Sequence, residues 1–339
     1  MSDFLAALSN RPRANLAHTP TPLEPMTNLR ASLGVEIHLK RDDCTGLAMG
    51  GNKARQLEFY LGEARQQNAD TILITGAVQS NYVRMAAAAA RKCRMQIHIQ
   101  LEQRVPGMDA PYYRSGNVLL DHLLGATLHD YPLGEDEAGA DANLEKIAAG
   151  LRSDGARPYV IHLGADHPPL GALGYARAAV ELLNQLQDDD LAIEHIVVPS
   201  GSSHTHSGLL FGLRALDCHI PVTGICVRRD AAQQHVRVVD CTAAIAQLLN
   251  LRNPVSEHDV HVFDGVLAPG YGRFGEAVRE AMQLVAEGEG VLLDPVYSGK
   301  TFAGLLALLR NGSLTKGPVL FLHTGGTPAL FGYQSALLG

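Results

Sequence analysis

Tryptophan is absent from this sequence, lysine occurs only six times, and neither sign of charge dominates. The 28 basic residues stand against 35 acidic ones for a net charge of −7. With no basic excess there is no electrostatic footprint for nucleic acid or an anionic membrane surface, and small molecules are the expected partners. No apolar run reaches the ~18 residues of a membrane span. The opening MSDFLAALSNRPR lacks a basic start followed by a long apolar stretch, so a cytoplasmic protein is expected. The five cysteines, Cys44, Cys93, Cys218, Cys226 and Cys241, form no CxxC pair and no zinc or disulfide spacing, which points to reduced thiols. The pairs His204/His206 and His258/His261 supply no third or fourth ligand at recognisable spacing, so no metal is expected from them.

What is present is an ordinary globular composition, 46% hydrophobic and 19% charged, on 339 residues. That length exceeds one typical core and favours two lobes or one large α/β unit. Short apolar runs at 71–75, 96–100, 158–162, 195–199, 221–227 and 319–322 alternate with amphipathic stretches at 80–94 and 171–186. This is the rhythm of βα units around a mainly parallel sheet, and the fold class read from it is doubly wound α/β. Polar stretches at 103–115, 133–141, 164–171 and 252–259 read as loops, and 164–171 is the best candidate for a boundary between units.

Three turns carry chemistry. Lys53 lies in MGGNKARQLEFY, where two glycines break the chain and a helical pattern begins directly afterwards. The positive end of a helix disfavours an ammonium there and favours the neutral amine that attacks a carbonyl. The stretch PSGSSHTHSGLLFGL, residues 199–213, joins an apolar run to a helix through a Gly/Ser/Thr loop. Such a loop aims backbone N–H groups from Gly201 onward, and the hydroxyls of Ser202, Ser203 and Thr205, at a phosphate. It matches neither nucleotide-loop pattern, so a cofactor monophosphate fits better than a nucleotide. In TGAVQSNYVR, residues 75–84, Ser80 and Asn81 open a helix that could hold a carboxylate, with the Asn81 amide free for a phenolic oxygen. Each turn also has a plain reading, as an exposed lysine, a common Gly/Ser turn or an N-cap.

Resemblance narrows the choice. The segments LKRDDCTGLAMGGNKARQLEF, GAVQSNYVR, GALGY, GYG (270–272), LLDPVYSGK (292–300) and LHTGGTPALFGY (322–333) occur in order from about residue 18 to the C-terminus. In that order they resemble the family of D-cysteine desulfhydrase, L-cysteate sulfo-lyase and 1-aminocyclopropane-1-carboxylate deaminase. The resemblance implies a two-domain enzyme of fold type II that depends on pyridoxal 5′-phosphate (PLP). It implies a larger cofactor-binding domain (1–50 and 168–339), a smaller α/β domain (51–167) and a homodimer. Lys53 becomes the Schiff-base lysine. The loop of Gly201, Ser202, Ser203, His204 and Thr205 holds the phosphate, Asn81 faces the cofactor O3′, and Thr324 lies near the pyridine nitrogen. Tyr271 and Tyr297 are the family's pair of active-site tyrosines, with Lys53 as the base for the Cα proton and Tyr297 or Ser80 assisting. Gln79, Ser80, Asn81, Tyr82 and Arg273 are the expected substrate contacts.

Three residues depart from the family pattern: His204 where glycine is usual, Tyr82 where histidine or glutamine follows QSN, and Arg273 with Phe274 after GYG. The implied reaction is β-elimination from a sulfur-substituted amino acid. Sulfite from L-cysteate is expected ahead of sulfide from D-cysteine. CTGL (44–47), GNVLLDHLLGAT (116–127) and the C-terminal GYQ resemble the sulfo-lyase branch, and Arg273 and His204 are extra donors for a sulfonate. Cyclopropane ring opening comes third, because that branch typically has glutamate where Ser298 stands.

Overall fold

The computed structural model describes residues 2–164, 166–314 and 317–338, so Lys316 and part of the 164–171 stretch lie outside the described residues. Among the described residues ten strands form two sheets: β1 (Leu23–Pro25), β2 (Ile37–Arg41), β3 (Thr71–Ala77), β4 (Gln96–Glu102), β5 (Thr127–Tyr131), β6 (Pro158–Ile161), β7 (His195–Ser200), β8 (Val222–Cys226), β9 (His261–Phe263) and β10 (Val319–His323). The larger sheet has the order β1-β2-β10-β7-β8-β9 and the smaller β5-β4-β3-β6. Every pairing is parallel except β1 with β2.

Parallel sheets are covered on both faces, which is why their central strands read as continuous apolar runs. All seven residues of β3, TILITGA, are buried. Helices Ala172–Asp188 and His204–Ala215 cover one face of the larger sheet, and Glu276–Glu289 and Ser298–Arg310 pack into a second core with Phe302 and Phe321 on the other. The first pair is in intimate contact: a Cβ at Gly208 would stand 2.2 Å from the Ala172 carbonyl oxygen. Only glycine lets the two backbones approach so closely.

β2 is not among the apolar runs because its sequence, IHLKR, places Lys40 in mid-strand. Lys40 is nonetheless buried, its ammonium donating to the Thr21 carbonyl at 2.8 Å and to Glu181 at 2.6 Å. Arg55 completes this network with paired 2.8 Å bonds to Asp42 and to Glu181. Burial alone would raise the Asp42 carboxyl, but the Arg55 guanidinium holds it below the usual range. Since Arg55 belongs to the helix Lys53–Gln66, the network anchors the element that carries Lys53. Three stretches read as loops contain helix: Ala110–Arg114 in 103–115, the start of Glu137–Ser153 in 133–141, capped by Asp136 on the Gly139 N–H at 2.9 Å, and the short 3-10 turn Glu257–Asp259 in 252–259.

Candidate active site

Strands β3, β7 and β10 all end at one cleft, the position where parallel α/β sheets bind ligands, beyond the carboxyl ends of their strands. After β3 come Ser80 and Asn81, after β7 comes the 201–205 loop, and after β10 comes Thr324. All of these residues except His204 line the cleft, together with Lys53, Tyr82, Tyr271 and Tyr297.

Lys53 is the first residue of its helix, behind Gly50 and Gly51. Gly51 has a φ of +129°, and a Cβ there would stand 3.2 Å from the Thr324 carbonyl. The turn is thus pressed against the end of β10, and the Asn52 N–H donates to that same carbonyl at 3.0 Å. The Lys53 amine faces no carboxylate. It lies 3.4 Å from the Gln56 side-chain oxygen and 4.6 Å from the centre of the Tyr82 ring. Burial lowers its pKa to about 8, so a substantial fraction is the neutral nucleophile near physiological pH.

The helix His204–Ala215 begins without a side-chain cap, leaving its first N–H groups directed at the cleft. The Thr205 hydroxyl oxygen accepts from the Asn52 and Gln56 amides, each at 2.9 Å, and keeps its own hydrogen to donate. The residue with positive φ in this loop is Ser203, at +77°, not His204. His204 therefore needs no glycine-like backbone. Its ring lines a separate recess with Asp240 and Cys241, and burial pushes its pKa down to about 3. The His204 side chain lines that recess and not the cleft.

Asn81 is oriented by its neighbours. Its side-chain oxygen accepts from Asn117 at 3.0 Å and from buried Arg84 at 3.5 Å, which leaves its NH2 as the group free to face a phenolate oxygen. Arg84 also donates to the carbonyls of Ala48 and Gly50, joining Asn81 to the Lys53 turn. Ser80 caps the helix Asn81–Lys92, accepting from the N–H groups of Tyr82 and Val83, and its hydroxyl hydrogen is still available. Gln79 is otherwise engaged: its amide donates to the Tyr112 and Ser115 carbonyls at 2.6 and 2.9 Å and accepts from the Asn117 N–H. It shapes the cleft from behind without lining it.

Tyr271 and Tyr297 share a 2.8 Å hydrogen bond between hydroxyls. Buried Asp294 sets Tyr297, accepting its N–H and that of Val296 through one oxygen and the Ser298 N–H and hydroxyl through the other. Burial, reinforced by the Tyr271 phenol, raises Tyr297 well above the ordinary tyrosine range. Tyr297 therefore holds its proton. Arg273 is exposed and donates to the Pro106 carbonyl, so it does not reach the cleft.

The motifs missed the cleft's charged wall. Arg104 forms two 2.8 Å bonds with Glu102, which also accepts from Thr75 at 2.7 Å. Glu137 accepts from Arg228 and Arg229 and lies 3.6 Å from Arg237. Burial opposes its ionisation, but Arg229, Arg237 and Arg228 keep the carboxyl below its usual range. The only trace in sequence is the position of QR and VRR just after apolar runs. The uncapped helix start, the free Thr205 hydroxyl, the oriented Asn81 amide and the neutral-leaning amine together fit PLP.

The family profile described as pyridoxal-phosphate dependent enzyme matches residues 14–325. The D-cysteine desulfhydrases of Salmonella choleraesuis (strain SC-B67) and Salmonella typhi are each 41% identical over 328 residues, covering 96% of this chain and 98% of theirs. A crystal structure of an ACC deaminase homologue superposes with a TM-score of 0.89 at 33% identity, covering 100% of this chain and 99% of that one. The T.th. threonine deaminase shares the fold at 22% identity, with a TM-score of 0.66 over 96% of this chain and 97% of its own. With its two parallel-rich sheets flanked by helices, the chain belongs to the pyridoxal-phosphate dependent enzymes of fold type II, as a lyase or deaminase of the D-cysteine desulfhydrase family.

Proposed function

We propose that the protein is a D-cysteine desulfhydrase, converting D-cysteine and water to pyruvate, hydrogen sulfide and ammonia. The observation that carries this reading is the Tyr271–Tyr297 hydroxyl pair at 2.8 Å, lining the same cleft as Lys53. PLP, once bound, supplies the electrophilic carbonyl that takes the substrate amine and the electron sink that makes Cα acidic. Lys53 removes the Cα proton, a task suited to an amine whose pKa lies near 8. Ser80 and the N–H groups opening the helix Asn81–Lys92 receive the substrate carboxylate. Tyr297, which holds its proton, donates it to the departing sulfur, and Tyr271 orients and resupplies it. Thr324, which lines the cleft, would offer a neutral hydroxyl to the pyridine nitrogen, and the cofactor would then be a moderate electron sink, sufficient where Cβ carries a good leaving group.

L-Cysteate is the second reading, reversing the order expected from sequence. A sulfonate is a second permanent anion needing its own donors. Arg273 and His204, the residues that favoured it, are respectively exposed and turned into another recess. Of the arginines that do line the cleft, Arg104 is paired with Glu102, and Arg228 and Arg229 with Glu135 and Glu137. Arg237 donates to the Leu163 and Ser202 carbonyls and lies 3.6 Å from Glu137. Ring opening of 1-aminocyclopropane-1-carboxylate is disfavoured because Ser298 is buried against Asp294 and supplies no carboxylate. Pyruvate release from D-cysteine, L-cysteate, β-chloro-D-alanine and 1-aminocyclopropane-1-carboxylate, measured side by side, tests the order. D-Cysteine is expected to give the highest kcat/KM among the natural substrates; a clear preference for L-cysteate would reject the reading. A homodimer in the cytoplasm remains part of the proposal, checked by sedimentation and by fractionation.

A further inference from the structure

Beside the cleft, three segments bring together a set of side chains that the elimination chemistry does not use. Asp141 lies in the helix Glu137–Ser153, His162 follows β6, and His167 lies on the connection to the helix Ala172–Asp188. One ligand atom from each lies within 4.8 Å of the others. His162 Nδ1 stands 3.4 Å from Asp141 Oδ1, and His167 Nε2 stands 3.7 Å from Asp141 Oδ2. The two imidazoles are stacked, with centroids 3.9 Å apart and planes 7° from parallel.

The hydrogen-bonding pattern is informative. His162 Nε2 lies 3.0 Å from Glu145 Oε1, one helical turn beyond Asp141. The other ring nitrogen, Nδ1, faces the Asp141 carboxylate. His162 Nδ1 is buried and makes no hydrogen bond. A histidine whose other nitrogen donates to a carboxylate is the usual arrangement of a metal ligand and its outer shell. Ligands about 2.0–2.1 Å from a tetrahedral ion stand roughly 3.3–3.4 Å apart; the His162–Asp141 pair has that separation at 3.4 Å, and His167 at 3.7 Å needs a small inward shift. Space is reserved as well: a Cβ at Gly164 would come 3.1 Å from Asp141 Oδ2 and 3.5 Å from the His167 ring.

We propose that Asp141, His162 and His167 bind a divalent transition-metal ion of the zinc, cobalt or nickel type, with Glu145 orienting His162 and water completing the coordination. Two imidazoles and one carboxylate select these ions over magnesium or calcium. Asp141 and Gly164 also line the cleft, so the ion braces its wall by tying one helix to the segment leaving β6.

Untagged holoenzyme, stripped of metal with a chelator, is titrated with Zn2+ by calorimetry and with Co2+ by visible absorption. One ion per chain is expected, together with cobalt d–d bands and a thermal midpoint raised by bound zinc. His167→Ala, at a partly exposed position, and Glu145→Gln are each expected to weaken binding by roughly 10-fold or more, and His162→Ala with His167→Ala to abolish it. Circular dichroism and the cofactor absorbance report whether each variant is folded. Saturable binding that survives the double substitution, or that is unchanged in His167→Ala, would assign the ion to another site and overturn the proposal. So would the absence of saturable Zn2+ and Co2+ binding to the wild type.

Discussion

Lys53→Met is expected to abolish turnover and yet stabilise the cofactor-free protein. In the folded chain burial lowers the Lys53 pKa from 10.5 to about 8, and no carboxylate compensates. Each factor of ten in proton affinity is worth about 1.4 kcal/mol, so the buried ammonium costs about 3 kcal/mol wherever both folded and unfolded chains are protonated. Below pH 8 that whole cost is present. Between pH 8 and 10.5 the folded amine is neutral while the unfolded one still binds a proton, so wild-type stability rises with pH there. Above 10.5 both are neutral and the cost is gone. Methionine fills the same volume without the charge, so the variant exceeds wild type by about 2–3 kcal/mol at pH 7, and the gap closes progressively toward pH 10.5. Urea unfolding of both proteins, stripped of PLP, at half-unit steps from pH 7 to 10 measures it. A gap that is constant across this range, or a variant less stable at pH 7, would refute the assignment of Lys53 as a buried, uncompensated amine. Residual turnover in the variant would refute its catalytic role.

Tyr297→Phe keeps the ring and is expected to lower kcat by about 10²-fold with a thermal midpoint near wild type; unchanged kcat would demote the hydroxyl to packing. Asp294→Asn presents an NH2 to backbone N–H groups that now bond a carboxylate, so a loss of about 2–4 kcal/mol in denaturant unfolding is expected, with kcat falling because Tyr297 moves. Glu181 is held at about 2 by Arg55 and Lys40 although burial opposes its ionisation. Its contribution is therefore complete above pH 4.5 and lost as pH falls toward 2. Glu181→Gln should be less stable at pH 7, and the difference should shrink on acidification in a urea series.

The legible parts of the protein are the local ones. Parallel strands buried on both faces announce themselves as apolar runs, so β3, β4, β7, β8 and β10 can be read directly, and the half-buried edge strand β6 is legible from its short apolar run PYVI. Helix starts and tight turns depend on a few adjacent residues, which is why GGNK, QSN and GSSHT mark the three turns that converge on the cleft. β2 is hidden because Lys40 is neutralised by Glu181, 141 residues away.

By itself, then, the sequence determined the α/β class, the family and the chemistry available on each turn, because backbone preferences and periodic burial act over a few neighbouring residues. Only the tertiary structure decided which side chains share the cleft. It sent Arg273 to the surface and the His204 ring into a separate recess, and it turned the Gln79 amide onto the backbone. It also joined Arg104 to Glu102 and three arginines to Glu137, and gathered Asp141, His162 and His167 beside them. Charge pairing and ligand geometry depend on distances in space, and those exist only once strands and helices from distant parts of the chain have packed together.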